Sequence, residues 1–247
     1  MLNNIKIILV ETSHAGNIGG VARAMKNMSL SQLRLVTPKN FPHADATARA
    51  SGADDLLANA VIYNDLTAAI SDCQLVIGCS ARARTISWPE LDPRENAEKC
   101  QQQPKDNNIA LIFGRENSGL KNHELDLCHY LLRIPCNENY SSLNLAAAVQ
   151  VVCYELFIAT TQNTAPDWVG DKGDQPLASA NQMELFYQHL QQTLVDIDFL
   201  QPPKARSLMR RLRRIYNRVQ LDTKELDILR GILRFSQNHN KDQSDVR

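Results

Sequence analysis

Six short apolar runs punctuate the first half of the chain: Lys6–Val10, Leu33–Val36, Val61–Tyr63, Leu75–Gly78, Ile109–Phe113 and Leu131–Ile134. They alternate with stretches of helical character. Runs this short, nearly without polar alternation, predict strands covered on both faces. Strands alternating with helices predict an α/β fold with a parallel sheet. Helices are expected at Val21–Met28, Ala44–Ala50, Asp65–Ser71 (capped by Asp65), Glu95–Gln102 and His123–Cys128. Glu11–Gly20 reads as a loop ending in glycines, and Trp88–Pro93 as irregular. In such sheets ligands bind beyond the carboxyl ends of the strands. The loops after Gly78, Phe113 and Ile134 therefore carry most of the interest.

The last of these loops leads into a long helix. Ser141 and Ser142 are good N-cap residues, because a hydroxyl accepts from the free amides of the first turn. Leu143, Leu145–Val149, Val151 and Val152 are apolar nearly all round, as a buried helix requires. Such a start offers unpaired donors at a fixed place, although an ordinary capped core helix looks the same.

Composition excludes more than it suggests. The 247-residue chain has a formal net charge of zero, so only local patches can select a charged partner. None of the six cysteines lies in a C-x-x-C spacing, and the Ile5–Val10 run is too short for the apolar core of a secretory leader, so none is expected. Free thiols in a cytoplasmic protein are expected, with no metal site and no membrane span.

Beyond Ala159 the composition changes. Thr160–Ala180 is rich in Pro, Gly and Asp and reads as a linker. Asn181 with Glu184, and Asp222 with Glu225, resemble capping boxes that open helices; the tail from Gln237 reads as loose. Between them Lys204–Arg218 holds Arg206, Arg210, Arg211, Arg213, Arg214 and Arg218 without one acid. Leu208, Leu212, Ile215 and Val219 recur at helical steps and are expected to pack inward, leaving guanidinium groups outward. Like charges stacked on one helix oppose its stability, so a polyanion such as RNA is the expected partner. Acids from elsewhere in the chain are the alternative. Few aromatic residues are available for a base-stacking platform.

The loops carry further charges. Arg23 follows a glycine turn in the first turns of a helix, where the dipole disfavours a cation and an anion would reconcile the two. His14, Gly114-Arg115-Glu116 and the pair Arg82 and Arg84 are weak signals alone. No G-x-G-x-x-G follows a strand, and there is no Walker lysine loop, G-x-S-x-G or metal spacing.

Asn17-Ile-Gly-Gly with Arg23-Ala-Met, Phe113-Gly-Arg-Glu-Asn-Ser-Gly-Leu, and Ile134-Pro with Tyr140-Ser-Ser-Leu-Asn-Leu-Ala-Ala-Ala-Val resemble the three ordered motifs of SpoU-branch SPOUT RNA methyltransferases. Val10-Glu-Thr-Ser-His, Cys79-Ser-Ala-Arg-Ala-Arg and Trp88-Pro-Glu-Leu-Asp-Pro-Arg-Glu are similar, more narrowly, to bacterial members that 2′-O-methylate nucleotide 32 in the tRNA anticodon loop. Cys79 departs from the threonine expected there. The resemblance implies a SPOUT domain over residues 1–162 with a C-terminal trefoil knot, a linker over 163–180, and a small all-helical RNA-binding extension over 181–247. It also implies an obligate homodimer acting on cytidine or uridine in tRNA. S-adenosylmethionine would be held by Cys79, Ser80, Ala81, Gly114, Ile134, Ser141, Ser142 and Leu143. Arg23 and Ser142 would be catalytic. RNA would meet Arg23, Arg82, Arg84, Arg115, Arg206, Arg210, Arg213, Arg214 and Arg218. A related enzyme acting on ribosomal RNA or another tRNA position, and a non-catalytic RNA-binding module on the same fold, are the alternatives. A small-molecule methyltransferase would leave the Arg206–Arg218 face unexplained.

Overall fold

The computed structural model describes residues 2–81, 88–137, 140, 142–161, 175–201 and 205–244, with backbone alone at 161, 205 and 239–244. Its first part runs β1 (Ile5–Val10), α1 (Ala15–Asn27), β2 (Gln32–Val36), α2 (Ala44–Ala50), α3 (Asp54–Ala58), β3 (Val61–Tyr63), α4 (Leu66–Ile70) and β4 (Leu75–Cys79). It continues through β5 (Glu90–Leu91), α5 (Pro93–Gln101), β6 (Ile109–Phe113), α6 (Asn122–Leu125), β7 (Tyr130–Leu132) and α7 (Leu145–Thr161). The strands form one sheet in the order β3-β2-β1-β6-β4-β7-β5, and every pairing is parallel. The six apolar runs are thus all strands of the expected sheet. The two-residue β5, which pairs with β7, was not foreseen, because Glu90–Leu91 is too short to carry a pattern.

Strand side chains alternate between two cores. Ile5, Ile7, Leu9, Leu75, Ile77, Ile109 and Leu111 pack with residues of α1, α2, α3, α5 and α7. Ile8, Val10, Val76, Ala110 and Ile112 pack with Leu66, Ala69 and Ile70 of α4, and with Trp88, Leu125 and Cys128. Both faces are dry, which is why the runs are continuous rather than alternating.

A third cluster belongs to α8 (Ala180–Asp196), α9 (Ala205–Val219) and α10 (Thr223–Ser244). Met183, Phe186, Tyr187, Leu190, Met209, Leu221 and Leu226 form its core. Of the expected linker, residues 163–174 lie outside the described residues. Residues 175–180 are instead pinned: the Ala178 amide donates to Leu221 and that of Ala180 to Cys73. Helix α8 opens on a capping box formed by Ser179 and Gln182, two residues before the expected one. The Asp222–Glu225 box opens α10 as expected. That helix runs on to Ser244, so the polar stretch after Gln237 is not loose at its start; Gln237 bonds to His189 and Asp196.

Two helix starts differ from expectation. Helix α1 begins at Ala15 and takes the glycines into its own turns. They serve packing rather than a bend: a Cβ at Gly19 would overlap the Ala46 carbonyl, and one at Gly20 would come 2.9 Å from the Ala146 Cβ. Arg23 therefore lies in the third turn, too far from the terminus for the dipole argument. Helix α7 begins at Leu145, not at the serines. Its cap is Asn144, whose Oδ1 accepts from the Ala146 amide at 2.9 Å. Ser142 precedes the helix, and Ser141 lies outside the described residues. Helix α7 is not buried all round either: Val151 and Tyr154, three residues apart, are exposed. Among the described residues no helix is long and apolar enough to cross a membrane.

Candidate functional site

The carboxyl ends of β4, β6 and β7 and the loop into α7 enclose one cleft of about 770 Å³, partly open to solvent. Cys79, Ser80 and Ala81 line it from β4; Gly114–Gly119 from β6; Ile134 and Cys136 beyond β7; and Ser142, Leu143, Leu145 and Ala148 from the start of α7. Gly114 admits no other residue, since a Cβ would overlap the backbone of Gly119 and Leu120. The tight 114–119 loop depends on that approach, and Arg115 and Gly119 close it with reciprocal backbone bonds. Burial, with the neighbouring Cys136, pushes the Cys79 thiol up to about 12. It is a neutral wall residue rather than a nucleophile.

Glu116 joins this cleft to α1. Its carboxylate accepts from the Ser13 amide (3.2 Å), the Ser13 hydroxyl (3.0 Å), the His14 amide (3.2 Å) and Asn17 Nδ2 (3.0 Å). Helix α1 has no side-chain cap of its own at His14, so a carboxylate from a distant loop takes that place, where the helix dipole favours an anion. Burial alone would raise the Glu116 carboxyl; the bonds from Asn17 and the backbone amides outweigh it and hold the group at about 2. Asn17 Oδ1 in turn accepts from Asn144 Nδ2 at 3.1 Å. One polar chain thereby connects the β6 loop, α1 and the cap of α7. The sequence reading missed Asn17, Glu116 and Asn144 as a set, although all three lie inside the quoted motifs.

Arg115 is tied to two acids of its own chain. Its Nε donates to Glu11 Oε2 (2.8 Å), Nη1 to Glu124 Oε2 (3.0 Å) and the Gly119 carbonyl (3.3 Å), and Nη2 to Glu124 Oε1 (2.8 Å) and Glu11 Oε1. All five guanidinium donors are engaged, which leaves none for a phosphate.

The expected site residues fall into two groups. Cys79, Ser80, Ala81, Gly114, Ile134, Ser142 and Leu143 line the cleft. Arg23 does not. It is exposed on α1, three residues beyond the Gly20 contact with α7, and has no ion pair among the described residues. Arg82 and Arg84 lie outside the described residues, as does Ser141.

Helix α9 divides its arginines. Arg213 is bidentate to Glu184, at 2.6 and 2.8 Å, and stacks 4.4 Å over the Tyr187 ring. The Arg210 Nε donates to both Asp126 oxygens, at 2.9 and 3.0 Å. These two meet acids from elsewhere in the chain, the alternative that the sequence left open beside RNA. Arg214 is half-buried, whereas Arg206, Arg211 and Arg218 are exposed. Met209 and Tyr216 pack inward with Leu208 and Leu212, while Ile215 and Val219 are exposed rather than buried. The buried side is rotated because Tyr216 meets Phe186 edge-on. No group of three His, Cys, Asp or Glu side chains suited to a metal occurs among the described residues.

Two family models match the chain: the SpoU rRNA Methylase family over residues 4–154, and the TrmJ tRNA methyltransferase C-terminal domain over residues 181–245. The chain is 50% identical over 240 residues to the tRNA (cytidine/uridine/adenosine-2′-O-)-methyltransferase TrmJ of Pseudomonas aeruginosa, covering 94% of this chain and 93% of that one. It is 47% identical to the tRNA (cytidine/uridine-2′-O-)-methyltransferase TrmJ of Pectobacterium atrosepticum, covering 94% and 96%. The crystal structure of TrmJ from Z. mobilis superposes with a TM-score of 0.80 at 31% identity, covering 93% and 97%.

Proposed function

Because the chain belongs to the SpoU methylase family, we propose that it transfers a methyl group from S-adenosylmethionine to a ribose 2′-oxygen of tRNA, on cytidine or uridine at position 32 of the anticodon loop. The observation that carries this reading is similarity along almost the whole length, extension included, to tRNA 2′-O-methyltransferases. A family likeness limited to the sheet domain would not have distinguished tRNA from ribosomal RNA.

The cleft suits the cofactor. Ile134, Leu143, Leu145 and Ala148 offer an apolar wall for a purine, while Ser80, Ser118 and Ser142 offer polar groups. Cys79, Ser80, Ala81, Gly114, Ile134, Ser141, Ser142 and Leu143 would hold it. When bound, S-adenosylmethionine supplies an electrophilic methyl group.

The chain's own residues must then make a ribose hydroxyl reactive. A hydroxyl is a weak nucleophile at neutral pH, so the site has to favour developing negative charge on the oxygen. Arg23 is assigned this role, together with a grip on a neighbouring phosphate. It acts as a fixed cation and not as a base, because guanidinium stays protonated in proteins. Ser142, at the cleft edge, orients the nucleophile or the cofactor.

Arg23 does not line the cleft of its own chain, which supports a homodimer whose site is completed across the interface. The exposed apolar pair Val151 and Tyr154 on α7 gives such a dimer a surface. A trefoil knot at the β7–α7 passage and a cytoplasmic location belong to the same reading. Arg206, Arg214 and Arg218 would meet RNA phosphates, as would Arg82 and Arg84.

The test is a map of ribose methylation in tRNA from cells with and without the gene, complemented by wild type or Arg23→Ala. Wild type should restore the mark at position 32. Arg23→Ala should bind S-adenosylmethionine and leave the nucleotide unmethylated; a restored mark would refute the role of Arg23.

A further inference from the structure

Two arginines, Arg115 and Arg210, are the two ends of an ionic bridge through α6. On one side Glu124 holds Arg115, which lines the cleft, at 2.8 and 3.0 Å. On the other side Asp126, the C-cap of α6, accepts from Arg210 of α9. Only one residue separates the two carboxylates. Asn217 of α9 adds 3.4 Å bonds to the carbonyls of Asp126 and Cys128. The Trp88 indole also donates to Cys128 at 3.1 Å, with the Arg210 guanidinium 6.0 Å over its ring. The side chains of Asp126 and Arg210 are 17% and 24% exposed, so solvent does not dissolve the pair as it would at the surface.

We propose that Asp126 and Arg210 are positioning residues whose ion pair fixes the register between the basic helix α9 and the cleft, so that RNA held on α9 presents its ribose there. This rests on the methyltransferase reading above. The physical need is plain: transfer to one ribose requires placement within a fraction of an ångström, and a misplacement of about 1 Å costs on the order of 100-fold in rate. An extension that only tethered RNA would raise its local concentration without fixing the angle of approach. Short ion pairs and side chain–backbone bonds at α6 fix both.

A charge swap separates this role from direct RNA contact. Full-length wild type, Asp126→Arg, Arg210→Asp and the double variant would be compared for tRNA Kd, S-adenosylmethionine Kd, and kcat on unmodified tRNA. The expected result is at least a tenfold fall in kcat for each single variant, both Kd values within about threefold of wild type, and a double variant within about threefold of wild-type kcat. If Arg210 gripped RNA, Arg210→Asp would weaken tRNA binding and the double variant would stay defective. That outcome overturns the proposal, as does unchanged kcat in both single variants. Should a swapped variant fail to fold, Asp126→Asn and Arg210→Gln carry the same expectation for kcat, and Arg210→Lys should recover part of it. A wild type that leaves tRNA unmethylated would sink the reading beneath; an active wild type with no rescue would sink only the bridge.

Discussion

Replacing Arg115 by methionine keeps the length of the side chain and removes its charge. Glu124, 5% exposed, would then keep a buried carboxylate without its cation. Breaking a buried ion pair from one side costs about 3–5 kcal/mol. Glu11 is a third exposed, so solvent screens its share, and most of the loss falls on Glu124. A loss of about 3–4 kcal/mol at pH 7 corresponds to roughly 6–16 °C in Tm for a chain of this size. Hydrogen bonds from the Arg115 guanidinium hold the Glu11 carboxyl at about 2, below its ordinary value near 4.5. A depressed carboxyl contributes stability above its unfolded pKa and loses it as pH falls toward the folded one. That contribution fades between about pH 4.5 and 2 in wild type and is largely missing from Arg115→Met. The gap between the two proteins should therefore be widest near neutrality and narrow below pH 4.5. Thermal unfolding followed by circular dichroism at pH 7, 5 and 3.5 reads both effects. A variant within about 2 °C of wild type at pH 7, or a gap that widens in acid, would refute the reasoning. Weakened tRNA binding at unchanged stability would return Arg115 to the RNA surface.

Other substitutions probe the cleft and its supports. Gly114→Ala would force the 114–119 loop apart, and titration calorimetry should register at least a tenfold loss of S-adenosylmethionine affinity; wild-type binding would mean the loop does not shape the site. Glu116→Gln turns an amide donor toward donors, at a cost of about 1–3 kcal/mol. Amide exchange at Ser13 and His14 should quicken, and unchanged protection would dismiss the carboxylate as the cap of α1. Val151→Glu with Tyr154→Glu should turn a dimer into monomers in light scattering and abolish methyl transfer; an unaltered mass would move the interface elsewhere.

The strands were legible because a sheet buried on both faces writes itself as apolar runs, and the loops after Gly78, Phe113 and Ile134 do meet at one cleft. What stayed hidden depends on partners remote in the chain. Gly19 and Gly20 look like a turn until the Ala46 carbonyl and Ala146 are placed against them. The arginines of α9 read as one outward basic face until Asp126, 84 residues away, meets Arg210, and Glu184, 29 residues away, meets Arg213. Arg115 reads as a surface cation until Glu11, 104 residues earlier, closes on it. Charge spacing along a helix reports a face, not what covers it. Two serines just upstream are as good a cap by residue type as Asn144, and only the bond from the Ala146 amide to Asn144 identifies the cap.

The destination of the methyl group is the most direct test of function. Purified chain would be incubated with unmodified tRNA and labelled S-adenosylmethionine, and the digested nucleosides identified by mass spectrometry. The expected product is 2′-O-methylcytidine or 2′-O-methyluridine from the anticodon-loop fragment, at position 32. Label on a base, on the wrong fragment, or absent from tRNA altogether would contradict it.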